Sequence, residues 1–143
     1  MEFSDVIKNR YSCKKFSSEQ IGKDKLDAIL EAGRVAPTAK NLQEQHIYVV
    51  QSESALETID KLTPCRYNAP TVLIVAFNKN NVFTYPGDKR NSGIEDATIV
   101  ATHLMLAACN EGVDSCWINF FNPDELAKAF NLPEDEEILM LLD

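Results

Sequence analysis

One stretch, Ile94 to Glu111, limits the possible folds more than any other. Ala97, Ile99, Val100, Leu104, Met105, Leu106 and Ala108 put apolar groups on nearly every side of a predicted helix. A helix of that kind belongs inside a core or a subunit interface. Gly112 is its natural stop, because glycine accepts the left-handed backbone that ends helices. The chain has 143 residues, enough for one domain with a real core around such a helix.

The remaining elements are those that would cover it. Phe3, Val6, Ile7 and Arg10 follow helical spacing, as do Leu26, Ile29, Leu30 and Gly33, with Pro37 ending the second helix. Ile47 to Gln51 reads as a strand. Ser54 with Glu57 resembles a capping box for a helix containing Leu56, Ile59 and Leu62. Thr71 to Phe77 is a continuous apolar run, the pattern of a strand buried on both faces. Val113 to Phe121 is a third predicted strand. Asn122, Pro123 and Glu125 then open a short helix as cap, first helical position and box partner. Glu137 to Asp143 is a fourth strand. The single long loop, Asn78 to Ser92, carries Phe83 and Tyr85, and it reads as a packed loop rather than a lid. Helices and strands interleave without repeat or linker. The expectation is therefore one domain over residues 1–143, with a sheet flanked by helices.

Charge and cysteines narrow the functions. The net charge of −8 argues against nucleic acid or an anionic membrane as partner. No apolar stretch is long enough to span a bilayer, and the N-terminus lacks the pattern of a signal peptide. Cys13, Cys65, Cys109 and Cys116 form no C-x-x-C pair, and only His46 and His103 accompany them. No metal site is expected, and reduced thiols suit a cytoplasmic protein.

Against this acidic background two segments stand out. In an extended chain Arg10, Ser12 and Lys14 share one face, two cations and a hydroxyl suited to a phosphate or another electron-rich group. The segment Ala36 to Gln43 breaks a helix and then offers Thr38, Lys40, Asn41 and Gln43 in a loop. Together they suggest a site for an anionic, ring-bearing cofactor. The five glycines cannot form a G-x-G-x-x-G or a P-loop, so a nicotinamide would have to bind without a Rossmann site. Each feature also has a plainer reading. Arg10 and Lys14 are also what surface charges look like, the Pro37 loop what a helix stop looks like, and Trp117 what a core residue looks like.

These segments, in this order, resemble the nitroreductase family of FMN enzymes: RYSCKKF, APTAKNLQ, GIEDATIVATHLMLAACNEG, VDSCWINFF and LPEDEEILMLLD. The wording of the central helix is most similar to a small subgroup from anaerobic bacteria. The resemblance implies an α+β, nitroreductase-like fold with a central mixed or antiparallel sheet flanked by helices, a homodimer, and two FMN sites at the subunit interface. It implies that Arg10, Tyr11, Ser12 and Lys14 contact the phosphate, ribityl and pyrimidine parts of FMN. Pro37, Thr38, Ala39 and Asn41 would be the loop laid on the same flavin by the other subunit. Trp117, Ile118, Asn119 and Phe120 would be the strand end beside the isoalloxazine ring, with a backbone N–H directed at N5.

Several positions depart from the family pattern. Tyr11 stands where a basic residue is common, Thr38 where serine is, and Glu44 where proline is frequent. Asn119 and Phe120 replace an acidic residue and a glycine, a change that a backbone contact survives. The family's C-terminal arm, which embraces the partner and adds a cation for the phosphate, is missing after Asp143. The chain is either a piece of a longer protein or a member that works without the arm.

The implied chemistry belongs to the cofactor. A cation near N1 and the C2 carbonyl stabilises reduced flavin. The expected cycle is ping-pong: NAD(P)H reduces FMN and leaves, then a small-molecule oxidant such as a nitroaromatic or quinone takes its place. Two other readings are a related flavin chemistry, such as reductive dehalogenation, and a non-catalytic flavin-binding or dimerisation module. Flavin reduction by NADH separates the last from the rest.

Overall fold

A computed structural model describes residues 1–143. Its elements, in chain order, are α1 (Phe3–Asn9), α2 (Lys23–Arg34), a 3-10 turn (Ala39–Asn41), β1 (Gln45–Val50), α3 (Glu53–Leu62), β2 (Val72–Asn78), α4 (Gly93–Asn110), β3 (Trp117–Ile118), α5 (Pro123–Ala129) and β4 (Glu136–Leu142). The four strands form one sheet in the order β1-β2-β4-β3, and every neighbouring pair is antiparallel.

The apolar run of β2 is explained by helices on both sheet faces. Leu73, Val75 and Phe77 join Ile29 of α2 and Val100 and Leu104 of α4 in one core. Val72, Ile74 and Ala76 join Ile59 of α3 and Leu126 of α5 in the other. Alternate side chains of a strand point to opposite faces, so a strand between two cores has no polar face. In β4 the alternation slips. Met140 and Leu142 face the α4 side, whereas Ile138 and Leu141 face the other. Val75 pairs with Met140 and Ala76 with Ile138, which leaves Leu139 as the extra residue of a β-bulge.

Helix α4 is the buried helix expected from its composition. Ala97, Val100, Ala101 and Leu104 are fully buried, although Ile94 and Ile99 remain exposed. Two glycines allow close approach around it. A Cβ on Gly33 would lie 2.7 Å from Leu104 Cδ2, and one on Gly93 would lie 2.9 Å from Phe77 Cδ2.

Two expectations are corrected. The cap of α3 is Ser52, whose hydroxyl accepts from the Ala55 N–H, and not Ser54; the chain turns two residues earlier than the Ser54–Glu57 spacing suggests. The strand expected over 113–121 shortens to Trp117–Ile118, because β4 offers only Leu141 and Leu142 as partners. Within 113–116, Ser115 instead bridges Ser12 in parallel. The 78–92 loop has its own bridge, Thr84 to Asn91, and Phe83 meets Tyr85 edge-to-face at 5.3 Å. It is a packed loop.

Candidate functional site

The segment 10–14 leaves α1 in extended form, with Arg10 at φ −59 and ψ 131. It is held by the Ser12–Ser115 bridge and by the Cys13 N–H donating to Ser115 O at 2.9 Å. Cys13 is buried, whereas Ser12 and Lys14 are exposed and Arg10 is half-buried. Buried Cys13 between exposed Ser12 and Lys14 fits an extended segment, although Tyr11 is exposed as well. The five ion pairs of the chain, Lys23–Asp27, Arg34–Glu31, His46–Glu136, Arg66–Asp60 and Arg90–Glu95, involve neither Arg10 nor Lys14. Their donors are unspent, which fits an anionic ligand group. Tyr11 is turned elsewhere: its hydroxyl donates to Asp114 Oδ2 at 3.0 Å. That bond pushes the phenol up to about 12.

The strand end at 117–120 lies just beyond Ser115 in the chain, so the bridge sets it beside the 10–14 segment. The Asn119 amide is fully engaged. Its Oδ1 accepts from Trp117 Nε1, and its Nδ2 donates to the carbonyl of the bulged Leu139 at 2.9 Å. The bulge therefore fixes Asn119. The backbone N–H groups of Asn119 and Phe120 donate to no backbone carbonyl of the chain, and Phe120 is 73% exposed. What this segment can offer a ligand is backbone N–H and an aromatic surface.

The third group sits apart. Pro37 and Asn41 are exposed, and Thr38 and Ala39 half-buried. Thr38 Oγ1 accepts from the Gln43 N–H at 3.0 Å, and the Asn41 N–H donates to Thr38 O at 2.9 Å. Lys40, Asn41 and Gln43 have positive φ, near 53°, 53° and 51°. The left-handed region is costly for side-chain-bearing residues, asparagine least, so this turn needs anchoring from outside. It comes from α4, where Asp96 Oδ1 accepts from the Ala39 N–H at 2.9 Å. The 10–14 segment adjoins the other end of α4, since Cys109 Sγ lies 3.5 Å from Val6 O in α1. Thirteen residues of helix between Asp96 and Cys109 correspond to roughly 20 Å. One chain brings Arg10–Lys14 and Trp117–Phe120 together, but not the Pro37–Asn41 loop.

A cleft of about 1040 Å³ is lined by Cys13, Phe16, Ile29, Leu73, Val113 and Leu142 among others. It lies on the Cys13 side of the extended segment, away from Arg10, Ser12 and Lys14.

Two polar clusters escaped the sequence reading. Glu136, buried at the start of β4, takes His46 Nδ1 on one oxygen and the Tyr48 hydroxyl on the other. Burial, then Glu136, raises the Tyr48 phenol to about 12. Glu44 and Asp96 are 2% and 3% exposed and lie against each other. Burial and the Asp96 carboxylate push Glu44 up to about 7. A signal for Asp96 exists in the sequence: it stands four and eight residues before Val100 and Leu104, on the buried stripe of α4.

Comparison with known proteins decides the family. The chain matches the Nitroreductase family over residues 7–66 and 61–142. The chain belongs to the nitroreductase family. It is 34% identical to a nitroreductase family protein from Clostridium difficile 630, covering 99% of this chain and 82% of that one with a TM-score of 0.95. A nitroreductase from Bacteroides fragilis NCTC 9343, solved with bound FMN, is 25% identical with a TM-score of 0.83 over 99% of this chain and 86% of that one. A Bacillus subtilis (strain 168) protein that carries the provisional name NAD(P)H nitroreductase YodC is 27% identical over 96% of this chain and 86% of its own length. Membership makes the chain an oxidoreductase, with the α+β architecture that the resemblance implied. No helix is long and apolar enough to cross a membrane.

Proposed function

We propose that this protein is an FMN-dependent oxidoreductase that draws electrons from NAD(P)H and passes them to flat acceptors such as nitroaromatics or quinones, by a ping-pong cycle in a homodimer. The observation that carries the reading is the pair of unspent cations, Arg10 and Lys14, on either side of Ser12 in the extended segment, beside the free N–H groups of Asn119 and Phe120. The family match and the FMN-bound relative support it.

In this reading Arg10, Ser12 and Lys14 hold the phosphate, ribityl and pyrimidine parts, and the backbone at 119–120 supplies a donor to the ring. When bound, the flavin would accept hydride from the nicotinamide and give its electrons to the oxidant. The chain itself holds and orients the ring. Trp117 and Ile118 place the strand end, and the locked Asn119 amide keeps the following N–H groups in position. The separation of roughly 20 Å along α4 favours a second copy as the donor of Pro37, Thr38, Ala39 and Asn41 to each site.

The test is spectroscopic. Protein incubated with FMN and desalted is expected to retain the yellow cofactor, to bleach with NADH or NADPH under anaerobic conditions, and to recover colour when a quinone is added. Folded protein that retains no flavin, or whose flavin NAD(P)H does not bleach, contradicts the reading.

A further inference from the structure

We propose that Glu44 and Asp96 are a positioning pair: sharing one proton, they pin the Thr38–Gln43 loop and make its grip on a flavin depend on pH. The dependence on flavin rests on the function proposed above; the shared proton does not.

The argument starts from oxygens without donors. Asp96 Oδ1 accepts from the Ala39 N–H at 2.9 Å. Asp96 Oδ2 and both Glu44 oxygens are buried and have no donor in the chain. Two buried carboxylates facing each other cannot both be charged without partners. One proton between them supplies the missing donor and halves the charge. The one other group that favours a charge on Glu44 is its own backbone N–H, which falls short of hydrogen-bond geometry. Asp96 is the single charged residue that acts on it, and no lysine, arginine or histidine does. The loop that packs over the N-terminal end of α4 brings Tyr85, which feels the Asp96 charge, and Arg90, which is spent on Glu95. Lys40 points away, 6.0 Å over the Phe83 ring.

The pair joins three elements. Asp96 belongs to α4, and its carboxylate holds Ala39. The Glu44 carbonyl accepts from the Asn78 N–H at the end of β2, at 2.9 Å. Between Ala39 and Glu44 lie the three residues with positive φ, Lys40, Asn41 and Gln43. Removing the shared proton sets two buried negative charges against each other at the two anchors of this turn. The relief open to the chain is to release Glu44 toward water, and the turn moves with it.

The sign follows from linkage. Glu44 titrates near 7 in the folded chain and near 4.5 when exposed, so the folded state holds a proton that the unfolded state has lost between those values. Stability is complete below about 4.5, falls as pH rises to about 7, and is flat beyond.

The experiment uses the full chain at a series of pH values. In carboxyl-carbon NMR of the wild type, a Glu44 midpoint near 7 supports the pair; one near the ordinary 4.5 overturns it. In urea unfolding, the wild-type folding constant should fall by up to about tenfold per pH unit between 4.5 and 7. Glu44→Gln supplies a permanent N–H donor to Asp96, and should remove that slope while leaving the fold intact. An unchanged slope in Glu44→Gln overturns the proposal. FMN titrations over the same range should weaken above pH 7 in the wild type and be level in Glu44→Gln. Protein that binds FMN with the same affinity at every pH overturns the positioning role. Protein that binds no FMN at any pH, yet shows the shifted midpoint, sinks the flavin reading and leaves the shared proton standing.

Discussion

Replacing Gly93 by alanine tests whether the start of α4 is set by contact with the sheet. The backbone of Gly93 lies outside the left-handed region, so alanine is sterically allowed there in principle, and a Gly-to-Ala change in a helix can gain up to about 1 kcal/mol. Contact opposes this. The new Cβ would lie 2.9 Å from Cδ2 and 3.0 Å from Cζ of Phe77, and closer still to Cε2. Phe77 is 3% exposed and wedged in the α2–α4 core, so its ring has nowhere to go. Overpacking of this kind costs about 1–3 kcal/mol, and the propensity gain is smallest at the first helical residue. The net expectation is destabilisation by about 1–2 kcal/mol, read as a lower urea midpoint at constant slope. Gly22→Ala is the control, because nothing lies within 4 Å of its Cβ; its change should stay within about 0.5 kcal/mol. Asp96 is one turn further on, so hydrogen exchange of the Ala39 amide should quicken in Gly93→Ala. A variant as stable as wild type, with Ala39 equally protected, would refute the reasoning.

Arg10→Ala removes one charged hydrogen bond worth about 1.5–3 kcal/mol, so FMN affinity should fall by roughly 10- to 150-fold with no change in unfolding midpoint; unchanged affinity would make Arg10 a surface charge. Sedimentation should show a dimer, and a monomer that binds FMN fully would exclude a shared site. All four tyrosines have phenols raised above the ordinary 10, Tyr11 by its bond to Asp114 and Tyr48 chiefly by burial. Ultraviolet titration should therefore run late. Because the folded state keeps protons that the unfolded state loses, stability should decline as pH rises from 10 toward 12. A tyrosine midpoint at or below 10 would contradict these contacts.

The sheet and its two cores were legible because periodicity records which face is buried. The unbroken apolar run of β2 and the all-round apolar α4 each predicted covering layers, and α2, α3 and α5 are those layers. Asn122 was legible as a cap because side-chain capping is local: its Oδ1 accepts from the Asp124 and Glu125 N–H groups. The length of β3 was not legible, since a strand ends where its neighbour ends, and the bulge at Leu139 is a property of pairing. Alternation accounts for the buried Cys13 between exposed Ser12 and Lys14. It could not show that Tyr11 is taken by Asp114, more than a hundred residues away. Glu44 was visible as a departure from the family pattern, but its partner came from α4, and only the fold joins them.

The same reasoning explains why the candidate site is divided along α4. A helix buried by the sheet on one side and by α2 on another is a rigid spacer. Its last turns meet α1, which delivers the Arg10–Lys14 segment, and its first turn holds the Ala39 loop through Asp96. Neither end can approach the other, because an α-helix does not shorten without breaking its hydrogen bonds. In the proposed function, a ligand that needs both sets of contacts would take one set from each of two chains, side by side. The exposed apolar residues at Phe3, Ile7, Val35, Ile94 and Ile99 lie on the same elements, α1 and α4, and at the end of α2. Burying them against a second copy would contribute about 25 cal/mol per Å² of apolar surface, and would align two spacers so that each loop reaches the other's cations.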